Sequence, residues 1–260
     1  MSTFSLIQTK IENNIGSVLF NNYAKRNALS GAMVEELLQA FEHLQNNKAR
    51  AVILGSAEFN PVWSAGHDVS ELPEANAEPL PYNDPLEQLL RAVRKFPAPV
   101  IAMVHGSVWG GACEVAVNCD MIIGDESCSF AMTPAKIGLP YNVSGIQHFL
   151  TRIPINIVKE MFFTAEPLNA ERALRHSIVN QIVPQAELVE HTYKVAATIA
   201  SRSHESIAVF KEQARLIMDS CPINPEVFEY IVKLRSEVYQ GKDYNEGIRA
   251  FLEKRAPKFS

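Results

Sequence analysis

Residues 100–118 read VIAMVHGSVWGGACEVAVN, and this stretch decides the fold. The apolar run 100–104 is short and unbroken, which predicts a buried strand. The pair Gly110-Gly111 interrupts the chain, and residues 112–118 after it predict a helix. A further apolar run, residues 121–123, predicts the next strand. The order strand, loop, helix, strand is typical of crossover units, so we expect an α/β core.

The same alternation extends toward the N-terminus. Residues 4–20 predict two strands around a turn, and Ser30 predicts the N-cap of a helix that ends near residue 46. Residues 51–54 predict another buried strand. Residues 70–85 interleave four prolines with acidic side chains, which indicates a surface loop, and a helix is expected directly after it.

The C-terminal part is different, because its patterns are nearly all helical. We expect helices at residues 145–163, 169–176, 185–201, 205–219, 224–239 and 242–253. The sequence therefore predicts an α/β core over residues 1–200 and a helical region over residues 201–260.

Bulk composition excludes several classes of function. The chain has 260 residues, 47% apolar and 20% charged, and a formal net charge of −5. Such a chain fits a globular enzyme or binding protein, and the acidic balance disfavours nucleic-acid binding, which needs clustered Lys and Arg. No apolar run is long enough for a membrane helix, and the first residues do not have the pattern of a secretion signal. We therefore expect a cytoplasmic protein.

The four cysteines do not indicate a metal site or a disulfide framework. None is spaced as C-x-x-C and none lies beside a histidine pair, so we interpret them as buried thiols in a reducing compartment. They are Cys113, Cys119, Cys128 and Cys221.

Two glycine-bearing loops are candidates for anion binding. One is the stretch 64–68, Ser-Ala-Gly-His-Asp, and the other is the stretch 106–112, which ends at a predicted helix. Glycine lets a backbone turn aim its N–H groups outward, and a helix N-terminus favours negative charge. Each loop alone is also compatible with a simple tight turn.

Two side chains within apolar surroundings could carry chemistry. Glu114 lies inside the apolar stretch 112–117, so it faces a cleft or has a buried partner, and a structural ion pair is an equal alternative. Tyr141 follows a segment rich in turn-forming residues and is either a packed aromatic or a site residue. The histidines other than His67 are scattered, and we interpret them as surface or core residues.

Four motifs in their order along the chain resemble the crotonase (enoyl-CoA hydratase/isomerase) superfamily over essentially the whole sequence. They are Lys25-Arg26-Asn27-Ala28-Leu29, Ser64-Ala65-Gly66-His67-Asp68, Gly106 through Glu114, and Phe251 through Pro257. The resemblance implies a core of repeated ββα units with a C-terminal helical region for trimerisation.

The resemblance also implies the site. The backbone N–H groups of His67 and Gly111 would form an oxyanion hole for a thioester oxygen, and Phe251 and Lys254 would approach the CoA of a neighbouring subunit. The other implied CoA or substrate contacts are Lys25, Ala28, Ala65, Gly66, Asp68 and Gly110. The partner is an acyl-CoA thioester, and the assembly a homotrimer or homohexamer.

One departure from the family pattern bears on the reaction. Hydratases carry two glutamates; Glu114 matches the first, whereas the second position falls on Pro134, which has no acid–base group. With His67, Trp109 and the Tyr141 segment, this makes the chain similar to family members that decarboxylate methylmalonyl-CoA to propanoyl-CoA. In that reaction Tyr141 would orient the leaving carboxylate, and His67, Glu114, Tyr141 or water would protonate the enolate.

Two alternatives stay open from the sequence. One is an enoyl-CoA hydratase or isomerase that uses Glu114, and the other is a CoA-binding protein without turnover. No signature of a metal, biotin, flavin or nicotinamide site is present in the sequence, so we expect a reaction without an added cofactor.

Overall fold

A computed structural model describes residues 4–73, 77–220 and 223–260. Its strands are β1 (Ile7–Glu12), β2 (Ile15–Phe20), β3 (Ala51–Ser56), β4 (Val62–Ser64), β5 (Val100–Val104), β6 (Ser107–Trp109), β7 (Met121–Asp125), β8 (Ser129–Ala131), β9 (Leu168–Asn169) and β10 (Gln181–Val183). Its helices are α1 (Gly31–Asn46), α2 (Pro85–Lys95), α3 (Gly111–Asn118), α4 (Val143–Leu150), α5 (Ile155–Thr164), α6 (Ala170–Arg175), α7 (Leu188–Ala200), α8 (His204–Asp219), α9 (Pro225–Tyr239) and α10 (Lys242–Leu252).

The strands build two sheets, and the chain passes from one to the other. The larger sheet has the order β1-β2-β3-β5-β7-β10, and the smaller has the order β4-β6-β8-β9. Each of β3, β5 and β7 lies in the larger sheet and is followed by a short strand in the smaller one. The predicted ββα core is therefore confirmed.

The central strands β3 and β5 are almost entirely apolar because both faces of the larger sheet are covered. Every residue of β3 and β5 is buried. Alternate residues such as Val52 and Leu54 join the main core, which includes α1, while Ala51 and Ile53 pack with residues of α7 on the other face. The helix α1 begins where expected, since the Ser30 hydroxyl accepts a hydrogen bond from the N–H of Met33.

Two predicted features differ from the structure. The helix expected over residues 145–163 is two helices, α4 and α5, because Pro154 lies at the start of the second and cannot continue the first. The strands of the smaller sheet and β10 were not predicted, since each has at most three residues and no readable alternation.

The C-terminal helices have unequal contact with the core. Of the described side chains of α8 none is buried, and in α9 only Arg235 is. In contrast, α10 packs closely on the core, because a Cβ on Gly247 would stand 2.2 Å from the carbonyl oxygen of Ile137. The division into units at residue 200 stays a prediction.

Two further expectations concern the cysteines and membranes. Cys113, Cys119 and Cys128 are buried free thiols, and burial raises the pKa of each. Cys221 lies outside the described residues. None of the helices described is both long and apolar enough to span a bilayer.

Candidate active site

The smaller sheet brings three loops together. Strands β4 and β6 pair in parallel, and β6 pairs in parallel with β8. Parallel neighbours end at the same edge of a sheet, so the loops that follow them are adjacent. These loops carry His67, Gly110 and Thr133 respectively, and all three residues line one cavity.

The first two loops form what we call the backbone corner, made of Gly66, His67, Gly110 and Gly111. A Cβ on Gly66 would stand 3.0 Å from the Gly111 nitrogen, and a Cβ on Gly111 would stand 3.2 Å from the His67 nitrogen. Gly66 has φ +83° and Gly110 has φ +51°, a region that favours glycine. The corner therefore requires residues without side chains at its closest contacts.

Two N–H groups of the backbone corner are available to a ligand. Neither the His67 N–H nor the Gly111 N–H donates to an acceptor among the described residues. Gly111 is also the first residue of α3, where the helix dipole adds partial positive charge. The corner therefore presents two donors suited to an anionic oxygen, and its role as an oxyanion hole stays a prediction.

The His67 side chain turns toward acidic and carbonyl groups. Its Nδ1 lies 3.0 Å from the Asp68 carbonyl oxygen, and its Nε2 lies 3.5 Å from Oδ2 of Asp84. Burial lowers the pKa of this imidazole, but the hydrogen bond and charge of Asp84 outweigh it, so the pKa is raised above its ordinary value. The same Asp84 caps α2 through Oδ1, which accepts from the N–H of Leu86.

Three polar side chains joined by hydrogen bonds form what we call the tyrosine wall: Tyr141, Glu114 and His148. Glu114 has no exposed surface; its Oε2 accepts a hydrogen bond from the Tyr141 hydroxyl, and its Oε1 lies 2.8 Å from Nδ1 of His148. Burial, followed by the charge of Glu114, raises the pKa of Tyr141 well above its ordinary value. Tyr141 therefore remains a neutral phenol.

A second carboxyl group lies behind the tyrosine wall. Glu87 on α2 is buried and accepts a hydrogen bond of 2.5 Å from the side-chain amide of Asn142. Asn142 also caps α4, since its Oδ1 accepts from the N–H of Gly145. Burial and the charge of Glu114 raise the pKa of Glu87.

The cavity has a volume of about 990 Å³ and collects most of the predicted site. Its wall includes Lys25, Ala28, Ala65, His67, Asp68, Gly110, Gly111, Tyr141, Phe251 and Lys254. Two predicted residues are not in the wall: Gly66 packs against the backbone of Trp109 and Gly111, and Glu114 lies behind Tyr141.

The C-terminal segment closes one side of the cavity. Phe251 and Lys254 line the cavity of their own chain, and their approach to the CoA of a neighbouring subunit stays a prediction. The physical reason for their position is the close packing of α10 on the segment 134–138, where Gly247 meets Ile137 and Gly138 meets Asp243.

Sequence reasoning missed His148 and Glu87. Neither residue belongs to a motif. Their helices, α4 and α2, are brought close to Glu114 only when the chain folds. An indirect signal existed, because a carboxylate in the apolar stretch 112–117 requires buried donors, but the sequence does not name them.

The described residues show no cluster of metal-binding side chains. Within residues 4–73, 77–220 and 223–260, no group of three or more His, Cys, Asp or Glu side chains could hold a metal ion. The expectation of a cofactor-free reaction stays a prediction.

Comparison with known proteins identifies the family. The family model for enoyl-CoA hydratase/isomerase matches residues 10–260. Methylmalonyl-CoA decarboxylase of Escherichia coli (strain K12) is 42% identical over 247 residues, which cover 95% of each chain. The human mitochondrial enoyl-CoA hydratase domain-containing protein 3 is 32% identical over 255 residues, 95% of this chain and 80% of that protein.

A solved structure agrees over the whole length. Methylmalonyl-CoA decarboxylase in complex with 2-nitronate-propionyl-CoA superposes with a TM-score of 0.97 at 41% identity and 99% coverage of both chains. From the matched sequence, the two-sheet ββα core and the paired loops of the backbone corner, we conclude that this chain belongs to the enoyl-CoA hydratase/isomerase family.

Proposed function

We propose that the chain is a carboxy-lyase that decarboxylates methylmalonyl-CoA to propanoyl-CoA. The observation that carries the proposal is the backbone corner: His67 and Gly111 line the cavity and their N–H groups have no acceptor among the described residues, whereas the carboxylate Glu114 does not line the cavity. The likeness to the methylmalonyl-CoA decarboxylase of E. coli supports the substrate.

The backbone corner fits the electron movement of this reaction. When the carbon–carbon bond to the carboxylate breaks, its electron pair moves into the thioester and forms an enolate with negative charge on oxygen. The N–H groups of His67 and Gly111 would stabilise that charge, and one such donor is typically worth roughly 10²–10³ in rate. Carbon dioxide leaves, and the enolate carbon then takes up one proton to give propanoyl-CoA.

Tyr141 forms the wall beside the reacting carboxylate in this proposal. Its ring is 8% exposed and lines the cavity, so it limits the orientations open to the substrate. Its hydroxyl hydrogen is directed at Glu114, and donation to a substrate carboxylate therefore requires the hydroxyl to turn. The orienting role stays a prediction.

The structure disfavours hydration for two reasons. Glu114 is fully buried, and both its oxygens have hydrogen-bonding partners. Pro134, at the position of the second hydratase glutamate, lines the cavity and has no group that could activate water.

The CoA part of the substrate is proposed to lie along the basic side of the cavity. Its wall carries five basic side chains: Lys25, Arg26, Lys136, Lys254 and Arg255. Together they provide local positive charge for phosphates in a chain of net charge −5.

Assembly into trimers is part of the proposal. The helices α8 and α9 leave apolar side chains exposed, and a monomer does not usually present such a surface. They include Val209, Phe210, Ile217, Val227, Phe228 and Tyr230. Trimers or hexamers in the cytoplasm would follow the expectation from the family resemblance.

The test is an incubation of purified protein with methylmalonyl-CoA and, separately, with crotonyl-CoA, followed by mass spectrometry. We expect propanoyl-CoA from the first and little or no hydration of the second. Rapid hydration without decarboxylation would replace the proposal with the hydratase alternative. Sedimentation should show a multiple of three chains, and a fully active monomer would contradict the assembly.

A further inference from the structure

His148 has different partners on its two ring nitrogens. Its Nδ1 lies 2.8 Å from Oε1 of Glu114, and its Nε2 lies 3.0 Å from Nη1 of Arg94. The side chains are little exposed, with 10% for His148 and 22% for Arg94. The imidazole therefore connects the buried carboxylate of the tyrosine wall to a cation on α2.

The chemistry of Arg94 determines the direction of both hydrogen bonds. A guanidinium has only donors, so the Nε2 of His148 must accept from it. An imidazole whose Nε2 accepts is neutral and carries its hydrogen on Nδ1. That hydrogen is directed at Oε1 of Glu114, and the carboxylate is held as an acceptor.

This arrangement orients Glu114 toward Tyr141. With Oε1 occupied by His148, only Oε2 is left for the Tyr141 hydroxyl. A carboxylate held on one oxygen cannot turn without losing that bond. The neutral imidazole thus fixes the position of Glu114, and Glu114 fixes the hydroxyl of Tyr141.

Arg94 is itself anchored from outside the α/β core. Its Nη2 pairs with Oδ1 of Asp219 at the end of α8, and the other oxygen of Asp219 accepts a hydrogen bond of 3.0 Å from Arg215. The chain of contacts therefore runs from Asp219 through Arg94, His148 and Glu114 to Tyr141. Arg91, also on α2, lies 3.9 Å from Glu87 and makes no hydrogen bond to His148 among the described residues.

We propose that His148 is a positioning residue of the reaction: it holds Glu114, and through Glu114 the Tyr141 hydroxyl, and Arg94 sets the tautomer that makes this possible. The kinetic part rests on the proposed function, because it needs a reaction at the cavity. The tautomer part does not, because it concerns the free protein.

The first experiment observes the tautomer directly. Nitrogen-15 NMR of histidine-labelled protein distinguishes a ring nitrogen that carries hydrogen from one that accepts. The protein has seven histidines, so the His148→Asn spectrum assigns the signals of His148. We expect Nδ1 to carry the hydrogen in the wild type and the preference to weaken in Arg94→Met, whereas the matched control Arg91→Met should leave it unchanged.

The second experiment measures kinetics. His148→Leu removes the donor and should lower kcat on methylmalonyl-CoA roughly tenfold, the loss expected for one hydrogen bond to a charged group, with KM nearly unchanged. His148→Asn places an amide N–H where Nδ1 lies and should restore most of the loss. A role in packing alone predicts no such rescue, since Asn fills the space worse than Leu.

The outcomes separate the two proposals. A wild-type His148 that carries its hydrogen on Nε2 or is doubly protonated would overturn the positioning proposal, even if His148→Leu does not fold. A folded His148→Leu enzyme with unchanged kcat would also overturn it. A wild type inactive on methylmalonyl-CoA, with the expected tautomer, would instead overturn the proposed function, and His148 would then position Tyr141 for another reaction.

Discussion

The backbone corner and the tyrosine wall face the same cavity but are built in opposite ways. The corner uses N–H groups of two adjacent loops. Its glycines are required because they have no Cβ, since a Cβ on Gly66 would stand 2.3 Å from the Trp109 carbonyl oxygen. The wall uses side chains from α3, α4 and the loop before α4. Glu114 on α3 is hydrogen-bonded to both of the others, Tyr141 and His148. We therefore expect the corner to fail when atoms are added and the wall to fail when atoms are removed.

The largest effect is expected from an added atom in the corner. Gly66→Ala forces a positive φ on alanine and meets the Trp109 carbonyl oxygen, so the two loops must separate. We expect kcat/KM on methylmalonyl-CoA to fall roughly 10²-fold or more. Gly31→Ala is the matched control, because its Cβ meets only side-chain atoms at 3.6 Å and beyond. Equal activity in both variants would show that the corner tolerates separation.

The second-largest loss of activity is expected when an atom is removed from the tyrosine wall. Tyr141→Phe leaves Oε2 of the buried Glu114 without its donor, so kcat should fall roughly 10-fold to 100-fold and the free energy of unfolding by about 1–3 kcal/mol. From the sequence, this hydroxyl was expected to orient the leaving carboxylate, whereas in the structure it donates to Glu114. Kinetics and thermal melts check both, with Tyr82→Phe, whose ring is 78% exposed, as control.

Glu114→Gln sharpens the same contrast. The glutamine oxygen can accept from Nδ1 of His148, and its NH2 group can donate to the Tyr141 hydroxyl oxygen, so kcat should fall less than in Tyr141→Phe. The measurement is kcat of both folded variants on methylmalonyl-CoA. A dead but folded Glu114→Gln beside an active Tyr141→Phe would make Glu114 the essential base and favour the hydratase or isomerase alternative.

A change at Lys254, which lines the cavity, should affect neither the backbone corner nor the tyrosine wall. Lys254→Met removes a charge from the basic side of the cavity, so KM should rise roughly threefold to tenfold while kcat stays the same. Lys233→Met on α9, 70% exposed, is the control. A fall in kcat with unchanged KM would mean that Lys254 acts on the chemistry and not on binding.

The smallest effect is expected from the side chain of His67, because the corner acts through its backbone. Asp84→Asn keeps the cap of α2 and removes the charge that raises the pKa of His67. We therefore expect kcat to change by less than roughly twofold. A large loss of kcat would show that the imidazole takes part in the reaction.

The same variant has a defined pH dependence of stability. A raised folded-state pKa means that protonated His67 stabilises the native chain below its ordinary pKa of about 6.5, and that this contribution is lost as pH rises through the raised value. The wild type should therefore exceed Asp84→Asn by up to about 1 kcal/mol near pH 5.5, with the gap closing in alkaline solution. Urea unfolding at both pH values measures it.

Much of the backbone corner could be read from the sequence. The glycines at positions 66, 110 and 111 mark turns at strand exits, and local patterns predicted the central strands and most helices. The short strands of the smaller sheet could not be predicted, since three residues give no periodicity. Their pairing is nevertheless what places the two loops side by side.

The sequence by itself determined the α/β class, the buried strands and the glycines of the corner, because those depend on the preferences of neighbouring residues. Only the tertiary structure decided the partners of Glu114, the tautomer of His148 and the return of α10 to its own cavity. These depend on residues far apart in the sequence, such as Arg94 and Asp219, which are 125 positions apart. A buried carboxylate requires donors wherever the fold can supply them, and the sequence states the requirement without naming the residues that meet it.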